Sequence, residues 1–152
     1  MSRTKESIIM TMNDMGTGNT DGMFEPEFLS YDDDAHKLEM RFPVLDWEIN
    51  SKQVMHGAAV TGILDYAMGI LANDVTAGEF APSASINVNF IKAIPADADM
   101  LVTARIISRG RRIINLHAEA RIEKTGVLAA DAAGIYTPVT YKPSKASAAT
   151  DE

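Results

Sequence analysis

Asp65 is the residue whose surroundings in the sequence point most directly to chemistry. It is the only charged residue in the stretch 58–72, which is otherwise apolar almost all round. Such a stretch predicts a buried central helix, and burying a carboxylate there costs several kcal/mol unless polar partners surround it. We therefore interpret Asp65 as a base or a nucleophile in a dry pocket. The alternative is a core carboxylate held by backbone or hydroxyl donors.

The pair His56-Gly57 precedes this helix directly. The N–H groups at a helix N-terminus have no partner within the helix, and the positive end of the helix dipole favours an oxyanion. Gly57 has no Cβ, so a carbonyl group could approach its backbone closely. Asn50, six residues upstream of His56, adds a side-chain amide. The combination predicts a site that polarises a carbonyl group.

The spacing of these residues adds a constraint. Eight residues separate Gly57 from Asp65, which places their backbones about 12 Å apart on one helix. That distance is too long for both to act on one reacting carbon. A site that uses both residues needs Gly57 from one subunit and Asp65 from another. The spacing therefore predicts a homodimer with composite sites, for which two-fold symmetry is the commonest arrangement.

The elements that position these residues follow from hydrophobic periodicity. Leu38, Met40 and Phe42 alternate with charged residues, as in a half-buried strand. The same alternation of apolar residues, together with turn residues, predicts four strands after the helix. They lie at about 85–90, 100–108, 114–122 and 127–139, with turns at Gly110 and Gly126. Short connections favour antiparallel pairing. We expect an α+β fold in which an antiparallel sheet wraps around one long buried helix.

The chain length of 152 residues accommodates one domain. We expect an N-terminal extension over residues 1–30, a domain over 31–142 and a disordered tail over 143–152. The extension contains five of the nine methionines and is interpreted as a loosely packed flap. In the alternative interpretation its side chains cover an apolar ligand, because methionine adapts to irregular surfaces.

Composition excludes several classes of function. With 14 Lys and Arg against 21 Asp and Glu, the formal charge is -7, which argues against binding to duplex nucleic acid. The absence of cysteine excludes thiolate metal sites and Cys nucleophiles. Three histidines without close pairing predict no metal site, and no phosphate-binding or Ser-hydrolase motif is present. No apolar run could span a bilayer, so we expect a cytoplasmic protein that binds no membrane.

These features together resemble the hotdog-fold thioesterases of the phenylacetic-acid-degradation type. The resemblance covers residues 36–140 and rests on Asn50, His56-Gly57 and Asp65, with support from segments 109–112 and 126–132. It implies a six-stranded antiparallel sheet around the central helix and dimers that pair into tetramers. It also implies hydrolysis of acyl-coenzyme A thioesters without a cofactor.

Carried over by position, the resemblance assigns a role to each candidate. The Gly57 N–H polarises the thioester carbonyl, and His56 holds the loop or assists at that oxygen. Asn50 positions the attacking water or the carbonyl. Asp65 of the partner subunit acts as general base or direct nucleophile, and Ser83 assists it, with Ser85 as the alternative. Relatives often have glycine at the positions of Gln53 and Ala58, so we expect some change in loop geometry.

A basic cluster stands out in this acidic chain. Arg109, Arg111 and Arg112, together with Lys92 as a weaker candidate, are interpreted as the binding site for the phosphates of coenzyme A. The alternative is a solvated hairpin turn. For the whole protein, the alternatives to a hydrolase are a non-catalytic acyl-coenzyme A-binding module and a hotdog enzyme that hydrates or dehydrates acyl thioesters.

Overall fold

One antiparallel sheet packs around a long helix in this protein. The computed structural model describes residues 5–15, 18–76 and 79–140. The elements, in chain order, are α1 (Lys5–Met15), α2 (Thr20–Met23), β1 (Glu27–Asp32), β2 (Lys37–Pro43), a 3-10 turn (Asp46–Glu48), α3 (Gly57–Asp74), β3 (Ser83–Phe90), β4 (Asp99–Arg109), β5 (Ile114–Ile122) and β6 (Leu128–Tyr136). Helix α3 packs against β2 to β6. The predicted α+β class, with an antiparallel sheet around one central helix, is confirmed.

The sheet has the strand order β1-β2-β4-β5-β6-β3, and every neighbouring pair is antiparallel. Strands β4, β5 and β6 follow one another through hairpins. Strand β3 pairs only with β6 and forms one edge of the sheet. The register aligns Arg109 with Ile114, Ile114 with Tyr136, and Tyr136 with Ser83. These four residues therefore mark one end of the sheet, and Phe90 lies at the opposite end of β3.

The period-two patterns form strands because they give each strand one apolar face. In β2, Leu38, Met40 and Phe42 are fully buried, while the charged residues between them are only half-buried. Strand β5 repeats the pattern with a buried face that begins at Ile114 and ends at Ile122. Burial of one such large side chain contributes roughly 1.5–3 kcal/mol. The buried faces of these strands and the apolar sides of α3 form one core cluster.

Strand β1 is an element that periodicity did not predict. It pairs with β2 and starts at Glu27, inside the predicted extension. A register shift between Phe28 and Ser30 interrupts its alternation, and only Phe28 and Tyr31 are half-buried. An edge strand with a bulge carries too weak a periodic signal to be read from the sequence. The predicted tail over 143–152 lies outside the described residues.

Helix α3 carries the candidate site along its least buried side. Twelve of its 18 residues are buried, which agrees with the expected central helix. The residues that are not buried include Ala58, Thr61, Gly62, Asp65 and Asn73, which follow one stripe along the helix. Helix α1 packs against α3 and buries Ile8 completely. Within the described residues, no helix combines the length and apolarity needed to span a membrane.

Candidate active site

The first turn of α3 leaves one backbone donor without a partner. His56 is the N-cap, and its Nδ1 accepts a hydrogen bond of 3.0 Å from the Ala58 N–H. The His56 carbonyl accepts bonds from the N–H groups of Ala59 and Val60, at 3.0 and 3.2 Å. Among the described residues, no acceptor faces the Gly57 N–H. The cap therefore satisfies the neighbouring amides and leaves the Gly57 N–H free to bind an oxygen atom.

The Gly57 N–H lies beside a cavity of about 310 Å³ at the N-terminal end of α3, which we call the Gly57 cavity. Its walls include Val60, Phe90, Ile91 and Lys92. A Cβ at position 57 would lie 3.2 Å from the Phe90 ring, closer than most side chains tolerate. Phe90 itself is 61% exposed. Glycine at position 57 therefore leaves room for the exposed Phe90 ring, which occupies that side of the residue.

The loop that leads into α3 is a short hairpin. Ile49 and Met55 form an antiparallel bridge, and Asn50 Oδ1 accepts a hydrogen bond of 2.8 Å from the Lys52 N–H. Gln53 has a φ of +60°, a left-handed conformation that glycine adopts at lower cost. Asn50 thus stabilises the loop through its side-chain oxygen.

Glu48 stabilises this loop through two hydrogen bonds. Its backbone carbonyl accepts a 2.7 Å hydrogen bond from the His56 N–H, and its Oε2 accepts one of 2.9 Å from the Leu45 N–H. The side chain is almost fully buried, and within the described residues Oε1 has no hydrogen-bond partner. Burial raises the pKa of Glu48, and the nearby charge of Glu25 raises it further, while the Leu45 N–H acts in the opposite direction.

Tyr136 holds the Asp65 carboxylate. The tyrosine hydroxyl donates to Asp65 Oδ1 at 2.7 Å and lies 3.0 Å from the Asp65 carbonyl oxygen. Tyr136 is buried, and burial, followed by the Asp65 charge, raises the pKa of its hydroxyl, which therefore stays protonated. Asp65 is only half-buried. Its carboxylate is thus oriented through one oxygen on a partly open helix face, which differs from the fully buried position expected.

Asp65 and Ser83 line the same cavity of about 210 Å³, which we call the Asp65 cavity. Tyr66 and Tyr136 form part of its wall, and Ser85 is not among its lining residues. The structure therefore brings together Asp65 and the preferred serine candidate. It leaves Gly57 in the other cavity, eight residues and about 12 Å away along the same helix.

The basic candidates lie at both ends of α3. Lys92 lines the Gly57 cavity. Arg109, at the end of β4, donates to the carbonyl of Val75 beyond the C-terminus of the helix, where a cation also interacts favourably with the helix dipole. Arg111 and Arg112 are exposed in the turn between β4 and β5. Gly57 and Val75 are 18 residues apart, so within one chain these two groups are separated by about 27 Å.

The comparison with protein families identifies one superfamily. Residues 52–129, which include Gly57, Asp65 and Ser83, match the thioesterase superfamily. The chain belongs to this superfamily. A comparison with curated protein sequences gave no match. No group of three or more His, Cys, Asp or Glu that could bind a metal ion occurs in the part of this thioesterase-superfamily chain that the structure describes.

Solved structures show the same fold at low sequence identity. The PaaI protein of the E. coli phenylacetic acid degradation operon is 15% identical, covers 90% of this chain and 96% of its own, and has a TM-score of 0.78. For zebrafish thioesterase superfamily member 2 the identity is 18%, the coverage 89% and 95%, and the TM-score 0.75. A Streptococcus mutans protein bound to acetyl-coenzyme A is 15% identical, with coverage of 78% and 91% and a TM-score of 0.67. The predicted resemblance to hotdog thioesterases of the PaaI type is confirmed.

Sequence reasoning missed two residues that contact the candidate site residues of this thioesterase-superfamily chain. Tyr136 resembles an ordinary core residue, and its only signal is a hydroxyl group on the inward face of β6, where a polar atom needs a partner. Glu48 is the third residue after Leu45, as in the acidic half of a helix capping box. Neither signal identifies the group that the side chain contacts.

Replacing Glu48 with Gln is expected to change how stability depends on pH. Because the folded-state pKa of Glu48 is raised above 4.5, the folded protein binds more protons than the unfolded chain just above that value, and stability falls as pH rises through this window. Gln does not titrate. From pH 5 to pH 8, the free energy of unfolding of the wild type should therefore fall relative to that of Glu48→Gln.

Urea unfolding at several pH values would measure this difference. Glu79→Gln serves as the control, because Glu79 is exposed and its replacement by Gln removes the same charge. Curves for Glu48→Gln and wild type that stay parallel across the range would show that Glu48 does not carry the raised pKa.

Proposed function

We propose that this protein hydrolyses acyl-coenzyme A thioesters to the free acid and coenzyme A, at composite sites in a homodimer. The observation that carries the proposal is the unpartnered Gly57 N–H at the N-terminus of α3, beside a cavity. Membership of the thioesterase superfamily supports the reaction type. The acetyl-coenzyme A bound to the Streptococcus mutans relative supports the ligand class.

The reaction divides between the two ends of α3. The thioester carbonyl oxygen accepts a hydrogen bond from the Gly57 N–H, which stabilises the negative charge that develops on it. Asp65 of the partner subunit removes a proton from water while the water oxygen attacks the carbonyl carbon; the C–S bond then breaks, and the thiolate leaves and takes up that proton. In the alternative route the Asp65 carboxylate attacks the carbon directly and the thiolate leaves; water then hydrolyses the resulting anhydride to the free acid and restores Asp65. Ser83 and Asn50 position the water and the carbonyl.

The free edge of β3 supports the composite site. Phe90, at the end of β3, lines the Gly57 cavity, and Ser83, at its start, lines the Asp65 cavity. If β3 pairs with β3 of a second copy across a two-fold axis, the two strands run antiparallel. The Phe90 end of one strand then lies beside the Ser83 end of the other. Each Gly57 cavity thereby adjoins the partner's Asp65 cavity.

The same pairing also accounts for the divided basic residues. Lys92 lies at the Gly57 end of its own chain, and Arg109, Arg111 and Arg112 lie at the Asp65 end. In the proposed dimer, Lys92 of one chain and the arginines of the other flank one composite site. Both groups could then bind the phosphates of one coenzyme A molecule.

The isosteric substitution Asp65→Asn tests the reaction. Because Asn cannot accept the proton from water, thiol release from acetyl-, hexanoyl- and phenylacetyl-coenzyme A should fall by at least about 100-fold. Asp34→Asn removes the same charge from an exposed turn and should keep wild-type turnover. If a folded wild-type protein binds these thioesters and releases no thiol, the protein is a binding module instead.

Mixed dimers test the composite site. Gly57→Pro removes the N–H donor and keeps the start of the helix, since proline is tolerated at the first helical position and His56, with ψ of 136°, already has the conformation that precedes proline. Its ring also brings a Cβ close to Phe90. Gly57→Ala, which keeps the N–H, controls for the added Cβ. Co-expression of Gly57→Pro and Asp65→Asn chains should restore about one quarter of wild-type activity, because half of the dimers are mixed and each has one intact site of two. A site within one chain would recover nothing.

Tyr136→Phe tests the orientation of the carboxylate. Loss of the 2.7 Å hydrogen bond to Asp65 lets the carboxylate rotate away from the water, and kcat should fall roughly 10- to 100-fold with little change in KM. Tyr31→Phe, which removes a half-buried hydroxyl that donates to Asp33 Oδ1 at 3.3 Å, is the matched control. An unchanged kcat for Tyr136→Phe would show that the contact is purely structural.

A further inference from the structure

The segment 18–26 covers the open stripe of α3 beside Asp65. Its anchor is Phe24, which is buried and whose ring lies only 2.8 Å from the position that a Cβ on Gly62 would occupy. The Phe24 ring also contacts Trp47, with 5.7 Å between the ring centroids. These contacts hold the short helix α2 against α3 and fix the position of Asp21.

Asp21 forms part of the wall of the Asp65 cavity. Burial raises the pKa of Asp21, and the charge of Asp65 raises it further. Burial, followed by the charge of Asp21, raises the pKa of Tyr66 to about 12, so this wall residue stays neutral. Asp21 and Asp65 are therefore close enough to influence each other within one cavity.

No positive charge offsets these two carboxylates in the cavity. Among the described residues that line it, none is Lys, Arg or His; the remaining ones are Met15, Gly62, Tyr66, Gly69, Asn73, Phe80, Ala81, Pro82, Ser83 and Tyr136. The basic candidates lie elsewhere, with Lys92 in the Gly57 cavity and Arg109 bonded to Val75. Apart from these two acidic groups, the described lining of the cavity is uncharged.

We propose that Asp21 is a specificity-determining residue, which together with Asp65 restricts the cavity to acyl groups without a negative charge. This inference rests on the proposed thioesterase function. The carbonyl must lie near Asp65 for reaction, and in this proposal the acyl chain, which is bonded directly to that carbonyl, occupies the Asp65 cavity. The phosphates of coenzyme A bind outside this cavity, at basic residues that, among those the structure describes, do not line it. A terminal carboxylate on the acyl chain would meet two like charges in a partly desolvated space.

The repulsion has a second consequence for the reaction. Hydrolysis turns a neutral thioester into a carboxylate anion within the same cavity. Asp21 and Asp65 both disfavour that anion, so the free acid leaves readily. One pair of charges thereby selects the substrate and weakens binding of the product.

The test compares two substrates of equal chain length. Pentanoyl-coenzyme A and glutaryl-coenzyme A both carry five-carbon acyl groups, and only the latter ends in a carboxylate. Wild type should favour pentanoyl-coenzyme A in kcat/KM by at least about 100-fold, and Asp21→Asn should reduce that ratio by about tenfold, through faster reaction of glutaryl-coenzyme A. Asp34→Asn, with the same change in net charge, should keep the wild-type ratio.

Binding measured by calorimetry separates this inference from the proposed function. The Kd for glutaryl-coenzyme A should decrease in Asp21→Asn, while that for pentanoyl-coenzyme A stays within about twofold. If neither thioester is hydrolysed but the Kd ratio responds in this way, the hydrolase proposal fails and the role of Asp21 stands. If Asp21→Asn alters both substrates equally, or neither, Asp21 does not determine specificity.

Discussion

The distance of about 12 Å that helix α3 sets between Gly57 and Asp65 is the constraint on which the rest of the candidate site depends. The helix is buried along most of its length and packs against five strands, so it cannot bend to bring its two functional ends together. Strand β3 runs beside it from Ser83 to Phe90, a span of roughly 24 Å. The edge strand therefore connects the two cavities, and its free side offers a direct way to join cavities from two chains.

The distribution of charge follows the same division. The chain is acidic overall, with a net charge of -7, yet its candidate phosphate-binding cations lie at the rims, at Lys92 and in the turn after Arg109. The Asp65 cavity carries the opposite sign. A thioester of coenzyme A has a matching polarity, with phosphates at one end and a neutral acyl group at the other. Local placement of charge, rather than the net charge, determines what this surface can bind.

Sequence reasoning succeeded where burial imposes a period and failed where contacts are long-range. The alternation in β2 and the apolar run of α3 identify themselves because each buries a regular face. The free N–H of Gly57 is also predictable, since every helix start has unpaired donors. The bond between Tyr136 and Asp65 joins residues 71 positions apart, and no local pattern encodes which core hydroxyl meets which carboxylate. The sequence does not predict strand β1, because its bulge interrupts the alternation of buried and exposed side chains.

The match to the thioesterase superfamily covers residues 52–129; among the described residues that line the Asp65 cavity, Met15, Asp21 and Tyr136 lie outside it. Tyr136 follows the matched segment and orients the carboxylate, while Asp21 precedes it and adds a second negative charge. Gly62 links helix α3 to the segment that carries Asp21, because its missing Cβ leaves room for the Phe24 ring. A glycine within a helix costs about 1 kcal/mol relative to alanine. A side chain at position 62 would displace Phe24, and with it α2 and Asp21. The central helix therefore determines where the flanking segment lies, and that segment in turn adds to the negative charge of the Asp65 cavity.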